Sequence, residues 1–273
     1  MEAQIKLHLD HGKFSYDVVY TERAGHAPEL AREAANNGSA VVVAVGGDGT
    51  VNEVARGLLH TETALAILPK GSGNGLARHL QVPMALEGAL RVLTQGTVKT
   101  IDSGSINGHP FFTTAGIGFD AYISSVFAGN KKRGLQSYVE LVMKEVRSYR
   151  HLPVKASING RVIDTDCFVM AFANAAQYGN NAYIAPEADI QDGLLDVCLV
   201  RKLDIIKALN LSYCMLTNQL AHADSAEYFK TKHVEVATEA PMMFHADGEY
   251  MGEAAAFDVQ IQPLSLKVVT PQS

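Results

Sequence analysis

The sequence predicts an α/β lobe built on a parallel sheet, followed by a second lobe that is mainly β. Two apolar runs, residues 41–45 and 64–68, each end on a glycine-rich loop, and helical spacing of apolar residues follows each loop. After Gly96 the chain changes to short β-branched runs separated by turn residues. A chain of 273 residues with 47% hydrophobic composition can bury two such cores. We therefore expect lobes at residues 1–96 and 97–273.

The first lobe is expected to alternate strands and helices. Residues 14–20 are aromatic and β-branched, which favours a strand, and residues 28–36 are alanine-rich, which favours a helix. The run at 41–45 is continuously apolar, as is typical of a strand covered on both faces. Such repeats predict right-handed crossovers, and the loops at the C-terminal strand ends should converge on one ligand. Further helices are expected over residues 51–58, through His79 and over residues 84–93.

The second lobe should open with a β-hairpin. Residues 99–106 and 109–115 flank a turn at Asn107-Gly108, which is a common hairpin turn. Helices are expected around residues 135–147 and 205–222. Further short strands are expected at residues 154–158, 162–172, 194–200, 234–238 and 257–261. A return of the last strand to the first lobe is left open.

Composition and charge exclude several classes of function. The net charge of -6 gives no basic field, which argues against non-specific nucleic-acid binding. Cys167, Cys198 and Cys214 are odd in number and lack Cys-x-x-Cys spacing, so reduced cytoplasmic thiols are expected rather than disulfides or a zinc site. No apolar run is long enough to cross a bilayer, so any membrane contact should be peripheral. The apolar stripe in 205–220 and the basic cluster at 131–133 are interpreted as a core helix and a solvated charge run.

The pentapeptide Gly-Gly-Asp-Gly-Thr at residues 46–50 is the strongest indication of chemistry. Glycines between a buried strand and a helix let backbone N–H groups approach phosphate oxygens, and the helix N-terminus adds a favourable dipole. Asp48 would repel phosphate unless it binds magnesium or takes a proton from an attacking hydroxyl. Thr50 and Glu53 have the spacing of a capping box, which is favoured over a catalytic role for Glu53. Phosphate binding is favoured over a simple turn.

Two further loops carry weaker signals. Residues 71–74 offer N–H groups, a hydroxyl and an amide, with Lys70 and Arg78 supplying positive charge. Phosphate or ribose contact and an ordinary turn are about equally expected there. Late in the chain, Asp247 and Glu249 flank a glycine, where acids are as often solvated as functional.

Together these motifs resemble the diacylglycerol kinase catalytic-domain family, which includes bacterial lipid kinases and the sphingosine and ceramide kinases. The family's order of motifs is matched by GGDGTVNE, LPKGSGNGLAR, TTAGIGFDA, NAYIAPEADIQDGLLDV and HADGE. The resemblance implies an α/β nucleotide-binding lobe, a β-rich lipid lobe and an active site in the cleft between them. The activity it implies is transfer of the γ-phosphoryl group of ATP to a lipid hydroxyl.

The resemblance also assigns roles to individual residues. Glu249 would be the general base, with Asp48 as its rival, and Asp120 would face the lipid headgroup. The residues that would contact ATP are Thr21, Gly46, Gly47, Asp48, Gly49, Thr50, Val51, Asn52, Gly71 and Ser72. ATP is expected to carry its own Mg²⁺.

A separate, structural Mg²⁺ is implied by the bacterial members. It would be held by the Asp192 side chain and by the carbonyls of Asp189 and Leu194. The second loop departs from the usual bacterial Gly-Thr-x-Asn-Asp pattern, because Ser72 and Gly75 replace the threonine and the second acid. This departure puts a magnesium network built on that acid in doubt, and it looks more like the sphingosine and ceramide kinases.

The start of the sequence departs from the family as well, since the opening strand and its Asn-Pro-x-Ser-Gly loop are not found. Either those residues lie outside this sequence, or the protein lacks one phosphate-contacting loop and has an uncovered sheet edge. Two rival functions remain: a soluble-substrate kinase of the NAD kinase type, and a non-catalytic nucleotide-binding sensor. The partners expected are ATP and a lipid at the membrane surface, with no nucleic acid. A homodimer and a peripheral position at the inner membrane face are left open.

Overall fold

The computed structural model describes residues 12, 14–128, 140–142, 144–146, 148–179, 182–201, 214, 217 and 225–272. The chain forms two compact units. The first comprises Met1–Ile101 and Ser265–Ser273, and the second comprises Asp102–Leu264. The division falls beyond the expected boundary at Gly96 because Thr97 and the residues after it remain with the first unit, where the Thr97 hydroxyl lies 3.5 Å from that of Thr270.

The first unit alternates helices with parallel strands. Its elements are α1 (Ala27–Asn36), β1 (Val41–Gly46), α2 (Asp48–Leu58), β2 (Ala64–Pro69), α3 (Gly75–His79) and α4 (Leu86–Gln95). β1 pairs with β2 in parallel along its whole length, and Val268 near the C-terminus pairs in parallel with Leu65 of β2. Leu58, Leu68 and Leu90 are fully buried and belong to its core. The expected α/β lobe with a parallel sheet is confirmed.

Two details of the first unit differ from expectation. Residues 14–20 form no strand, and Val19 and Tyr20 are 65% and 73% exposed. Strand propensity alone does not stabilise an extended segment, which needs a neighbouring strand, and no described strand pairs with residues 14–20. β1 is also less covered than its apolar sequence suggests, since Val45 is 40% exposed. Among the described strands β1 pairs only with β2, so it lies at an edge of the sheet.

The second unit is mainly antiparallel β-structure, which confirms the β-rich lobe. Strands β3 (Thr97–Ile106) and β14 (Glu249–Thr270) carry the chain between the two units. The remaining elements are β4 (His109–Phe111), β5 (Thr114–Gly118), α5 (Phe119–Ala128), β6 (Leu152–Ile158), β7 (Arg161–Cys167), β8 (Val169–Ala173), β9 (Gln177–Gly179), β10 (Ala182–Tyr183), β11 (Leu195–Val200), β12 (Ala226–Thr231) and β13 (His233–Ala246).

β13 is the central strand of this unit. Its first half pairs with β6, its last residues pair with β5, and β14 returns along its other edge. The sheet continues from β5 through β8 and β11 to β12. Three two-residue turns join neighbouring strands, at Asn107-Gly108, Asn159-Gly160 and Asp247-Gly248. Both residues of each turn have positive φ, as the type I′ hairpin turn requires.

Several expected elements of the second unit are confirmed and others change. The predicted strand at 162–172 is two strands, β7 and β8. The chain changes partners at Phe168, whose N–H donates to the Val200 carbonyl while its own carbonyl accepts the Phe119 N–H. Helix α5 and strand β12 were not predicted. Residues 140–142, 144 and 145 are helical, as expected for part of 135–147. The helix predicted at 205–222 and the basic cluster at 131–133 lie outside the described residues, apart from Cys214 and Thr217.

Candidate active site

The two glycine-rich loops of the first unit lie against each other at the C-terminal ends of β1 and β2. The Lys70 N–H donates to the Gly46 carbonyl at 2.7 Å, which extends the parallel pairing into the loops. A Cβ on Gly71 would lie 2.6 Å from the Gly47 Cα, so only glycines allow this approach. The predicted meeting of the two loops is therefore confirmed.

The first loop leaves a backbone cradle at the start of α2. Gly47 is the N-cap, and no side chain caps the helix there. The first intrahelical bond runs from the Val51 N–H to the Gly47 carbonyl, so the N–H groups of residues 48–50 have no acceptor within the helix. A Cβ on Gly49 would meet nothing within 4 Å. N–H groups without an intrahelical acceptor and the helix dipole both favour an anion at this helix start.

The expected capping box between Thr50 and Glu53 is wrong. The helix begins at Asp48, so Thr50 is already its third residue and cannot be the N-cap that a capping box requires. The Thr50 side chain instead packs over Gly46, where a Cβ would lie 2.5 Å from the Thr50 Cβ. Glu53 accepts a hydrogen bond from the Gly25 N–H at 3.0 Å.

Asp48 joins the first loop to the second. Its Oδ2 accepts the Asn74 N–H at 2.9 Å and its Oδ1 accepts the Gly75 N–H at 2.7 Å. The carboxylate therefore binds the N-terminus of α3, a role that explains a negative charge in a loop otherwise suited to phosphate. A Cβ on Gly73 would lie 2.6 Å from Asp48 Oδ2, so this glycine also makes room for the carboxylate.

The second loop is stabilised from within. Asn74 adopts a left-handed conformation, and its side chain accepts the Gly71 N–H at 3.0 Å and donates to the Gly71 carbonyl at 2.7 Å. Arg78 Nε donates to the Gly73 carbonyl at 2.9 Å. Ser72 at the tip is exposed and free to contact a ligand. Thr21 lies in an irregular exposed segment, and no hydrogen bond between described residues joins it to either loop.

In the second unit, Asp120 is a buried carboxylate with protein partners. Its Oδ2 lies 3.1 Å from His245 Nε2 and accepts the Tyr178 hydroxyl at 3.0 Å. Its Oδ1 accepts the Ala121 N–H at 2.8 Å. Both oxygens are thus engaged within the protein, and the expected contact of Asp120 with a lipid headgroup stays a prediction. Neither Tyr178 nor the pairing with His245 was predicted from the sequence.

The two acids of the Asp-Gly-Glu turn have different environments. The Asp247 carboxylate accepts the N–H groups of Phe112 and Thr113 at 2.9 and 2.7 Å and the Thr113 hydroxyl at 2.6 Å. Burial raises the pKa of Asp247, and these hydrogen bonds oppose that rise. Glu249 is exposed, and its carboxylate makes no hydrogen bond to a described residue. Asp247 therefore stabilises the turn, whereas Glu249 is available to a ligand.

The segment expected to hold a structural Mg²⁺ already contains a cation. Lys230 Nζ lies 3.0 Å from Asp192 Oδ2 and 3.1 Å from Asp196 Oδ2, and it donates to the Glu187 carbonyl at 3.3 Å. The other Asp192 oxygen accepts the Leu194 N–H at 2.9 Å, while the Asp189 carbonyl accepts the Asp192 N–H at 3.4 Å. A divalent ion on Asp192 would repel the Lys230 ammonium, so these residues do not fit a resident Mg²⁺.

The charges around Lys230 support its pairing with both acids. Burial acts to lower the pKa of Lys230, but its hydrogen bonds to Asp192 and Asp196 and the negative charges of these acids together outweigh burial and raise the pKa overall. Burial raises the pKa of Asp196, and the bond to Lys230 only partly opposes it. Lys230 was missed because it lies on β12, a strand that the sequence did not predict.

Comparison with known proteins identifies the family of this chain. A family described as the diacylglycerol kinase catalytic domain matches residues 2–106, and the YegS C-terminal NAD kinase beta sandwich-like domain matches residues 113–270. A Chromohalobacter salexigens protein named "Probable lipid kinase YegS-like" is 33% identical over 240 residues, which cover 85% of this chain and 76% of that protein. The chain belongs to the diacylglycerol kinase catalytic-domain family.

A second relative of this diacylglycerol kinase family member supports the same assignment, and a solved structure shares its fold. A diacylglycerol kinase of Bacillus subtilis is 26% identical over 255 residues, which cover 92% of this chain and 84% of that protein. The crystal structure of a diacylglycerol kinase from Bacillus anthracis superposes with a TM-score of 0.69 at 21% identity, covering 92% of this chain and 84% of the other.

The fold is also shared with an NAD kinase from Archaeoglobus fulgidus solved in complex with ATP, at a TM-score of 0.51 and 13% identity. The two chains are covered to 88% and 81%. This likeness concerns the fold alone. Among the described residues of this family member, no helix has the length and apolar character needed to span a membrane.

Proposed function

We propose that this member of the diacylglycerol kinase family transfers the γ-phosphoryl group of ATP to the hydroxyl of a diacylglycerol-like or sphingoid-like lipid. The observation that carries the proposal is the cradle at the start of α2. There, the backbone N–H groups of residues 48–50 precede the first intrahelical bond, and Gly49 leaves room for close approach of a ligand. This arrangement suits the phosphates of a nucleotide. Membership of a kinase family supports the view that the bound nucleotide donates a phosphoryl group.

The proposed mechanism divides the work between charge stabilisation and proton removal. In-line phosphoryl transfer needs donors that stabilise the charge on the transferred group, and the N–H groups of residues 48–50 would supply them. Asp48 keeps the two loops together through its bonds to Asn74 and Gly75. Bound Mg²⁺ on ATP would neutralise phosphate charge.

Glu249 is the better candidate for the general base. A general base must reach the acceptor hydroxyl with a carboxylate that is free to take its proton. Glu249 is exposed and makes no hydrogen bond to the described part of the chain, whereas both Asp48 oxygens accept backbone N–H groups. We therefore assign proton removal to Glu249 and a positioning role to Asp48.

A phosphorylation assay tests this proposal. The full chain is incubated with radiolabelled ATP, MgCl₂ and vesicles that contain diacylglycerol, sphingosine or ceramide, and separately with NAD in solution. We expect label in a lipid product. Glu249→Gln should lower kcat by about 10²- to 10⁴-fold, as expected for loss of a general base. Glu253→Gln, an exposed acid on the same strand, is the matched control and should retain wild-type kcat.

Three results would contradict the proposal in different ways. Label transferred to NAD without any lipid would indicate a soluble-substrate kinase of the NAD kinase type. Binding of ATP with no transfer to any acceptor hydroxyl would indicate a nucleotide sensor. Transfer to lipid that persists in Glu249→Gln would leave the kinase activity intact and refute the assignment of the base.

A further inference from the structure

The turn that carries Glu249 is held from two sides. On one side, the Asp247 carboxylate accepts N–H groups of Phe112 and Thr113. On the other side, the Gly248 N–H donates to His245 Nδ1 at 3.2 Å. Gly248 directly precedes Glu249, so the orientation of its peptide group helps to set where the glutamate side chain leaves the backbone.

The two hydrogen bonds of His245 define its tautomer. Because the Gly248 N–H can only donate, Nδ1 must accept and carries no proton. The ring proton is therefore on Nε2, which donates to Asp120 Oδ2 at 3.1 Å. The ring is 1% exposed, so water does not compete for either nitrogen. Tyr178 adds a hydrogen bond to the same Asp120 oxygen.

The local sequence makes room for this pair. Gly116 of β5 lies opposite His245 of β13 in the sheet register. A Cβ at Gly116 would lie 2.3 Å from Asp120 Oδ2 and 2.9 Å from His245 Nε2. Any larger residue at position 116 would therefore displace the carboxylate or the ring.

We infer that His245 and Asp120 are positioning residues for the base: Asp120 fixes the ring of His245, and His245 fixes the Gly248 peptide next to Glu249. This inference rests on the proposed role of Glu249. It also gives Asp120 a different role from the expected contact with a lipid headgroup, since both of its oxygens already accept hydrogen bonds from the protein.

Two substitutions at His245 separate its two contacts. In His245→Asn, the amide oxygen lies near the former Nδ1 and can still accept the Gly248 N–H. In His245→Gln, the longer side chain places its amide near the former Nε2, where it can donate to Asp120 but leaves Gly248 without an acceptor. A purely structural role for the ring would make both variants lose function together.

The first measurement is steady-state kinetics with the full chain. We expect His245→Gln to lower kcat by roughly 10- to 100-fold with little change in the KM for ATP, because the base is misplaced while the nucleotide loops are not. His245→Asn should retain a kcat about tenfold higher than His245→Gln. Equal kcat values in the two variants would overturn the inference.

The second measurement does not depend on activity. Amide hydrogen exchange of Gly248, followed by NMR, should be faster in His245→Gln than in His245→Asn, because only asparagine keeps an acceptor for that N–H. Equal exchange rates in the two variants would also overturn the inference. If the wild-type chain phosphorylates no lipid, the proposed function fails, but the exchange comparison still reports whether His245 holds the turn.

Tyr178→Phe provides the test if the His245 variants do not fold. It removes one hydroxyl while it preserves the shape of the ring, and it frees Asp120 Oδ2 from one of its two bonds. We expect a lower kcat and faster exchange at Gly248, both smaller in size than in His245→Gln. Wild-type values for both measurements would contradict the inference.

Discussion

Replacing Asp48 with asparagine tests whether this residue stabilises the two glycine-rich loops. The substitution keeps the shape of the side chain but leaves only one acceptor oxygen for two donors, the N–H groups of Asn74 and Gly75. The second donor would then face the asparagine NH₂ group. A hydrogen bond to a charged group contributes about 1.5–3 kcal/mol, and we expect the free energy of unfolding to fall by that amount.

The expected loss is measurable by thermal unfolding. For a chain of this size, each kcal/mol lowers Tm by about 2–4 °C, so Asp48→Asn should unfold roughly 3–12 °C below wild type. Glu87→Gln is a suitable control, since it removes an exposed ion pair with Arg91 and should change stability by less than about 0.5 kcal/mol.

One outcome would refute this reasoning. If Asp48→Asn unfolds within about 1 °C of wild type but loses turnover, the carboxylate has a chemical role and does not stabilise the loops. If the variant is destabilised as expected, lost activity alone says nothing about a base. Near-normal activity in a destabilised variant would exclude Asp48 as the general base and support Glu249.

Two further predictions concern the glycine loops and the lysine in the acidic segment. Gly71→Ala should lower the free energy of unfolding by about 1–3 kcal/mol, because its Cβ would overlap the Gly47 backbone. Gly49→Ala should keep the wild-type Tm, because its Cβ would meet nothing within 4 Å. The same variant should bind ATP about tenfold more weakly, as measured by titration calorimetry. Equal Tm losses in the two variants would contradict this distinction. Lys230→Met should destabilise the chain by about 1 kcal/mol, since the lysine is partly exposed, and added MgCl₂ should restore its Tm. EDTA should leave the wild-type Tm unchanged, and a large loss of Tm in EDTA would show that a metal ion is bound despite Lys230.

The sequence predicted the features that depend on residues close to one another along the chain. Each glycine loop follows an apolar strand and precedes a helix, and that order alone places backbone N–H groups at a helix start. The Asn107-Gly108 hairpin was also predictable, because only a few residue pairs adopt positive φ at both positions. The strand expected at residues 14–20 is wrong because a strand also depends on distant residues. Local propensity cannot supply the neighbouring strand with which an extended segment must pair.

The sequence by itself therefore determined the family, the two-part fold and the two glycine-rich loops. Only the tertiary structure decided what each acid does. Asp48 meets Asn74 across 26 residues, Lys230 meets Asp192 across 38, and His245 meets Asp120 across 125. Periodicity and turn chemistry act over a few residues, whereas these pairs depend on which strands become neighbours. The order of strands in the sheet places Gly116 beside His245, and no local pattern in the sequence carries that information.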